Sequence, residues 1–160
     1  MSSTQKFGKL IGASLGPGDP ELITRRSWAV LQSSARWIYP VKKATEASYA
    51  LSIVERGGLP VPADAVPLVF PMTRDAELLA KAWLRAAEQT VKLLAEGRDL
   101  VFLVEGDAST FATFGHLARI ARELAPEIEV ETIPGVSSFA AAAAAASIPL
   151  AEEDETLAII

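Results

Sequence analysis

Leu15-Gly16-Pro17-Gly18-Asp19-Pro20-Glu21-Leu22-Ile23-Thr24 is the stretch from which the fold is read. Residues 9–14 before it form a short apolar run of strand type, and glycine and proline close that run in a turn. Asp19-Pro20-Glu21 then reads as a helix start. Asp caps free backbone amides, proline suits the first helical position, and Glu suits the positive end of the helix dipole. Leu22, Ile23, Trp28 and Leu31 continue at helical spacing to about Gln32. A strand, a tight turn and a helix in direct succession open an α/β unit.

The same order repeats outward from this unit. Residues 35–39 predict a second strand stopped by Pro40, and residues 48–56 predict a short helix closed by Gly57-Gly58. The proline-bearing segment 59–71 predicts an extended connection with one short strand over 66–69. Leu78, Leu79, Ala82, Trp83, Ala86, Val91 and Leu94 are spaced for a long amphipathic helix over 75–96. Residues 99–104 read as a buried strand, followed by Glu105-Gly106-Asp107 and a helix over 109–124. A strand over 128–133 meets Pro134-Gly135, and Ser137 or Ser138 caps an alanine-rich helix that runs to Ala146. Residues 156–160 predict one more strand. Strands alternating with helices give a parallel sheet in an α/β domain. One domain is expected over 1–151, with 152–160 as a linker and the first strand of a second domain that is cut short.

Composition narrows the function classes. At 160 residues and 50% hydrophobic, the chain buries one ordinary core. It has no cysteine, which removes disulfides, thiolate metal sites and cysteine nucleophiles. One histidine and no His/Cys cluster argue against a structural metal. A net charge of −5 argues against a nucleic-acid partner. No apolar run is long enough to span a bilayer, and residues 1–9 lack a signal-peptide pattern, so a cytoplasmic location is expected.

In an open parallel sheet, ligands bind beyond the carboxyl ends of the strands. Three expected strands end there in turns of small residues: 16–20, 105–110 and 134–138. Each leads into a helix start with free amides. The first turn lacks the second and third glycines of a dinucleotide fingerprint, and no glycine precedes Lys and Ser or Thr as in a phosphate loop. NAD and ATP are therefore disfavoured.

Taken together, the three turns resemble those of the tetrapyrrole (corrin/porphyrin) methylases. That family opens with a G-P-G-D-P-E-L-L-T pattern, matched by Gly16-Pro17-Gly18-Asp19-Pro20-Glu21-Leu22-Ile23-Thr24. Its second signature is an apolar strand with a Gly-Asp turn and a nearby Ser or Thr, matched by Val101 through Glu105-Gly106-Asp107-Ala108-Ser109-Thr110. Its third is Pro-Gly-x-Ser/Thr-Ser before a small-residue helix, matched by Pro134-Gly135-Val136-Ser137-Ser138. Ser14, Ala108 and Phe111 stand where a glycine, a proline and a tyrosine are usual. Tyr39-Pro40, Ser48-Tyr49-Ala50 and Phe70-Pro71-Met72-Thr73-Arg74-Asp75 are similar to the subgroup acting on precorrin-2 at C-20.

The resemblance implies the three-layer parallel-sheet amino-terminal domain of a class III methyltransferase. It implies S-adenosylmethionine as methyl donor, a tetrapyrrole substrate and a homodimer when full length. Pro17, Gly106, Asp107, Thr110, Ser137 and Ser138 would contact the cofactor, mostly through backbone. Asp19 is the catalytic candidate, for aligning the macrocycle or relaying a proton, and it also reads as a plain helix cap. Asp107 reads equally as a turn-former bonded to its own backbone. Arg74 is the preferred contact to substrate carboxylates, ahead of Arg25, Arg26, Lys42 and Lys43. His116 reads as a polar or half-buried helix residue, and Trp28, Trp37 and Trp83 as core or domain-contact residues. The alanine run is expected to pack closely on the sheet beneath the cofactor. The competing readings are a tetrapyrrole methylase of other regiospecificity, a methylase of ribosomal RNA ribose, and an isolated domain without turnover.

Overall fold

The computed structural model describes residues 6–159. Residues 1–5, part of the stretch read as leader-free, and Ile160 of the expected last strand lie outside the described residues. Five strands form one parallel sheet: β1 Leu10–Ser14, β2 Arg36–Val41, β3 Val66–Val69, β4 Leu100–Val104 and β5 Val130–Ile133. Their order across the sheet is β3-β2-β4-β1-β5. The helices are α1 Arg25–Leu31, α2 Tyr49–Arg56, α3 Ala76–Leu94, α4 Thr113–Leu124 and α5 Ser138–Ala146.

The apolar strands have period two, so each feeds two cores. In β4, Leu100, Phe102 and Val104 pack with Leu94 of α3 and with Phe114, Leu117 and Ala121 of α4. Val101 and Leu103 face the other way, onto Leu31 of α1 and Ala50, Ile53 and Val54 of α2. Two helical layers thus sandwich the sheet, and all five β4 residues are buried. That is the three-layer α/β architecture expected from the sequence.

Several boundaries differ from the sequence expectation. The first helix is split: Pro20–Leu22 forms one 3-10 turn, Ile23 is extended, and α1 starts afresh behind Thr24. Thr24 accepts from the Ser27 amide at 3.2 Å, so a second cap competes with the continuous apolar spacing.

Pro40 does not stop β2 but lies inside it. The Arg36 amide donates towards β4 and the Val41 carbonyl accepts from β3, so by alternation Pro40 faces β4. The β2–β4 ladder has already ended at Ile38, so no amide is needed there, and the Pro40 carbonyl accepts from Ser48 Oγ at 2.9 Å.

The helix expected from 109 begins at Thr113. Asp107 first turns the chain through Ser109 and Thr110, and Phe111 sits at φ +50°. The alanine helix α5 buries none of its residues, against the close packing expected. Alanine offers little apolar area to drive docking. Residues 156–159 form no strand and are exposed; among the described residues no neighbouring strand offers them a ladder.

Candidate active site

Strands β4, β1 and β5 are neighbours, and their register is level at the carboxyl end. Ser14 lies opposite Val104, and Ala13 opposite Ile133. The three small-residue turns therefore leave the sheet side by side. Gly16 and Gly106 exchange backbone hydrogen bonds of 3.2 and 2.8 Å, which joins the first turn to the second.

Ser14 joins the second turn to the end of β5. It is fully buried, and its Oγ donates to the Ile133 carbonyl at 2.6 Å while accepting from the Ala108 amide at 2.8 Å. A glycine at this place could make neither bond. Gly135 packs directly against it: a Cβ on Gly135 would lie 2.3 Å from Ser14 Cβ and 2.8 Å from the Gly106 oxygen. Only glycine allows that approach.

Asp107 ties the second turn to the third. Its Oδ1 accepts from the Gly135 amide at 3.0 Å. Its Oδ2 accepts from Thr110 Oγ1 at 3.0 Å, the Ser109 amide at 3.3 Å and Ser109 Oγ. Burial pushes this carboxyl up, but the bonds from Ser109, Gly135 and Thr110 outweigh it and hold it below the ordinary aspartate range. The carboxylate is therefore an acceptor that braces the turns. Next to it Gly106 has φ +71°, and a Cβ there would meet nothing within 4 Å, so its backbone borders open space.

The first turn is anchored separately. Arg56 of α2 donates through Nη2 to the Gly18 carbonyl at 2.7 Å and through Nε to the Ser52 carbonyl at 3.2 Å. Asp19 is exposed and uses Oδ1 to accept from the Glu21 amide at 2.9 Å, so the capping role is realised. Its other oxygen makes no hydrogen bond among the described residues.

The structure brings Pro17, Gly106, Asp107 and Thr110 together, with Ser137 and Ser138 at the mouth of the third turn. Ser137 caps α5, accepting from Ala140 at 3.4 Å, and Ser138 is exposed. Arg74 is elsewhere. It lies exposed on the segment leaving β3, and β2 and β4 separate that strand from β1. Arg26 pairs with Glu131 and Lys43 with Glu46. His116 is exposed on α4 against Trp83, with ring centroids 5.4 Å apart, while Trp37 is buried with its indole NH on the Leu31 carbonyl at 3.1 Å. Among the described residues no group of three or more His, Asp or Glu is placed to hold a metal ion.

Three contributors escape a reading by motif. Ser14 shows in sequence as a polar residue in a buried strand where a glycine is usual, and only the fold reveals its two partners. Arg56 has no local signal, since its partner Gly18 is 38 residues away. Glu105 is the lone charge ending the apolar run of β4, and only the fold shows that it lines a cavity. Chemically, the three turns form a wall of backbone amides, carbonyls and hydroxyls suited to a compact polar ligand.

Known proteins resemble this chain over most of its length. The family model described as Tetrapyrrole (Corrin/Porphyrin) Methylases matches residues 9–160. The cobalt-precorrin-2 C(20)-methyltransferase of Salmonella typhimurium is 38% identical over 153 residues, covering 96% of this chain and 63% of that protein. The precorrin-2 C(20)-methyltransferase of a Sinorhizobium species is 30% identical over 161 residues, covering 96% of this chain and 64% of that protein. The crystal structure of the methyltransferase CobJ superposes with a TM-score of 0.63 at 28% identity, covering 89% of this chain and 52% of that one. The chain thus spans just under two thirds of the length of the two enzymes it resembles in sequence.

Proposed function

The chain belongs to the tetrapyrrole (corrin/porphyrin) methylases, and from that premise we propose that it is the α/β part of an S-adenosylmethionine-dependent enzyme that methylates precorrin-2 at C-20 to give precorrin-3A. The observation that carries this reading is the convergence of the three turns, braced by Ser14 and Asp107 around backbone that borders open space. The likeness to the two C(20)-methyltransferases favours this regiospecificity over others in the family. An RNA substrate is disfavoured by the net charge of −5.

The residues present fit the methyl donor. Gly106 leaves room for close approach, and Pro17, Thr110, Ser137 and Ser138 add carbonyls and hydroxyls around it. When bound, S-adenosylmethionine supplies an activated methyl group on a sulfonium. The protein's work is then positioning and exclusion of water. Asp107 contributes by fixing the second and third turns relative to each other. Asp19, exposed with one oxygen free, aligns the macrocycle from the first turn. Arg74 meets a substrate carboxylate only if the macrocycle extends along the sheet towards β3. Among the described residues no helix is long and apolar enough to cross a membrane. A cytoplasmic homodimer is the form we propose for the full-length protein, on the absence of cysteine and the family resemblance.

Calorimetry with S-adenosylhomocysteine, on this chain and on the full-length protein, tests the reading. Binding by the full-length protein together with conversion of precorrin-2 supports it. Absence of binding by both refutes it, and methylation at another carbon refutes the regiospecificity.

A further inference from the structure

A cavity of about 440 Å³ opens beside the second turn, over the carboxyl ends of β2 and β4. Its walls carry the aromatic and apolar side chains of Phe70, Met72 and Phe111 and the polar groups of Lys42, Tyr49 and Glu105. Met72 and Phe111 are 81% and 82% exposed, which is unusual for such apolar residues and leaves a greasy rim around the mouth. Phe111 is also held at φ +50°, a strained conformation for a side chain of its size. Glu105 makes no hydrogen bond and no ion pair among the described residues, although it adjoins Gly106 of the second turn. Asp19, by contrast, does not line this cavity and caps the Glu21 amide, and Asp107 is saturated by its own turn and Gly135.

The reaction sets a need that this group meets. Methylation of a ring carbon that bears hydrogen forms a C–C bond and leaves the carbon with both the methyl group and the hydrogen. The C–H bond must then break, its electron pair returning to the conjugated ring and its proton leaving. We propose that Glu105 is the acceptor of that proton, and that the cavity holds the edge of the macrocycle that carries the reacting carbon. This rests on the methyltransferase reading above. The proton passes from carbon to the Glu105 carboxylate, which becomes a neutral acid and releases it through the open mouth to water. The C–S bond pair stays on the sulfur of the leaving thioether, so atoms and charges balance. Lys42 faces the same space and is suited to a peripheral carboxylate of the substrate.

The charged and titratable groups facing Glu105 across the cavity are Lys42, Glu46 and Tyr49, with Asp107 next along its own turn. Although Glu105 keeps exposed surface, partial burial pushes its carboxyl above the ordinary glutamate range, partly offset by Lys42. That direction suits a base working near neutral pH.

The test compares full-length wild type with Glu105→Gln and Glu105→Asp. It uses precorrin-2 turnover against pH, S-adenosylhomocysteine calorimetry, and a carbon-13 titration of the carboxyl that Glu105→Gln removes. Glu105→Gln is expected to lower kcat roughly 100-fold or more and to abolish the acid limb of the kcat profile. Its affinity for S-adenosylhomocysteine stays within threefold of wild type, and Glu105→Asp recovers part of the rate. The titration places the missing carboxyl above ordinary glutamates. An unchanged acid limb with kcat within threefold overturns the proposal, as does an equal loss of kcat and S-adenosylhomocysteine affinity. Absence of wild-type turnover overturns the underlying reading and this one with it.

Discussion

Replacing Ser14 by alanine isolates the hydroxyl that holds two of the three turns. Ser14 is fully buried, and its Oγ is the sole hydrogen-bond partner of the Ala108 amide among the described residues. Removing it orphans that buried N–H, which costs about 1–3 kcal/mol. The bond to the Ile133 carbonyl at 2.6 Å is lost as well, for about 0.5–1.5 kcal/mol more. Water cannot substitute readily: Gly135 packs against Ser14 Cβ, and the vacated volume is that of one oxygen, below what a water needs. The sum is about 3 kcal/mol, or roughly 6–12 °C in Tm for a domain of this size. Urea unfolding followed by far-ultraviolet circular dichroism measures it. Because Ala108 follows Asp107 directly, Ser14→Ala and Asp107→Asn should also be non-additive, with a coupling of about 0.5 kcal/mol or more. A loss below about 0.5 kcal/mol, or strict additivity, refutes the claim that one hydroxyl braces the turns.

Other expectations follow from the same geometry. The Asp107 carboxyl is held below its ordinary range, so its contribution is full above the unfolded-state value and is lost as pH falls through the lower folded value. The difference in Tm between wild type and Asp107→Asn should therefore shrink on acidification below about pH 4, and parallel Tm–pH curves would contradict it. Gly135→Ala places a Cβ 2.3 Å from Ser14 Cβ and 2.8 Å from the Gly106 oxygen and should cost about 3 kcal/mol in the same unfolding assay; a loss below about 1 kcal/mol would contradict it. Gly106→Ala meets no neighbour and should cost only the left-handed backbone penalty of about 1–2 kcal/mol. Its Cβ enters the proposed ligand space, so calorimetry should show S-adenosylhomocysteine binding weakened at least tenfold; unchanged affinity would move the ligand elsewhere. Asp19→Ala should lose a cap of about 1 kcal/mol that Asp19→Asn retains, and a drop in turnover with Asp19→Asn at unchanged stability would identify the charge itself as functional.

How much of this was legible beforehand depends on the range of each interaction. Period-two apolar runs and helical spacing are local, and they located β3 at 66–69 and the long helix α3 closely. Caps are local as well, yet two of them in series split the first helix at Thr24, which apolar spacing alone does not disclose. Pro40 inside β2 depends on where the neighbouring ladder ends, a property of β4. The exposed alanine helix depends on what lies over it, which its own composition does not state.

The opening stretch shows the division most clearly. By itself, the sequence determined a strand, a turn of small residues and a capping aspartate, because each of these is set by torsional preference and hydrogen bonds within a few residues. It also marked three such turns. Only the tertiary structure decided that β4 and β5 flank β1, so that the turns meet through Gly16–Gly106, Ser14 and Asp107–Gly135. Those contacts join residues about 30 to 120 positions apart. Strand order is chosen by how two apolar layers cover both faces of the sheet, and no local stretch of chain carries that information.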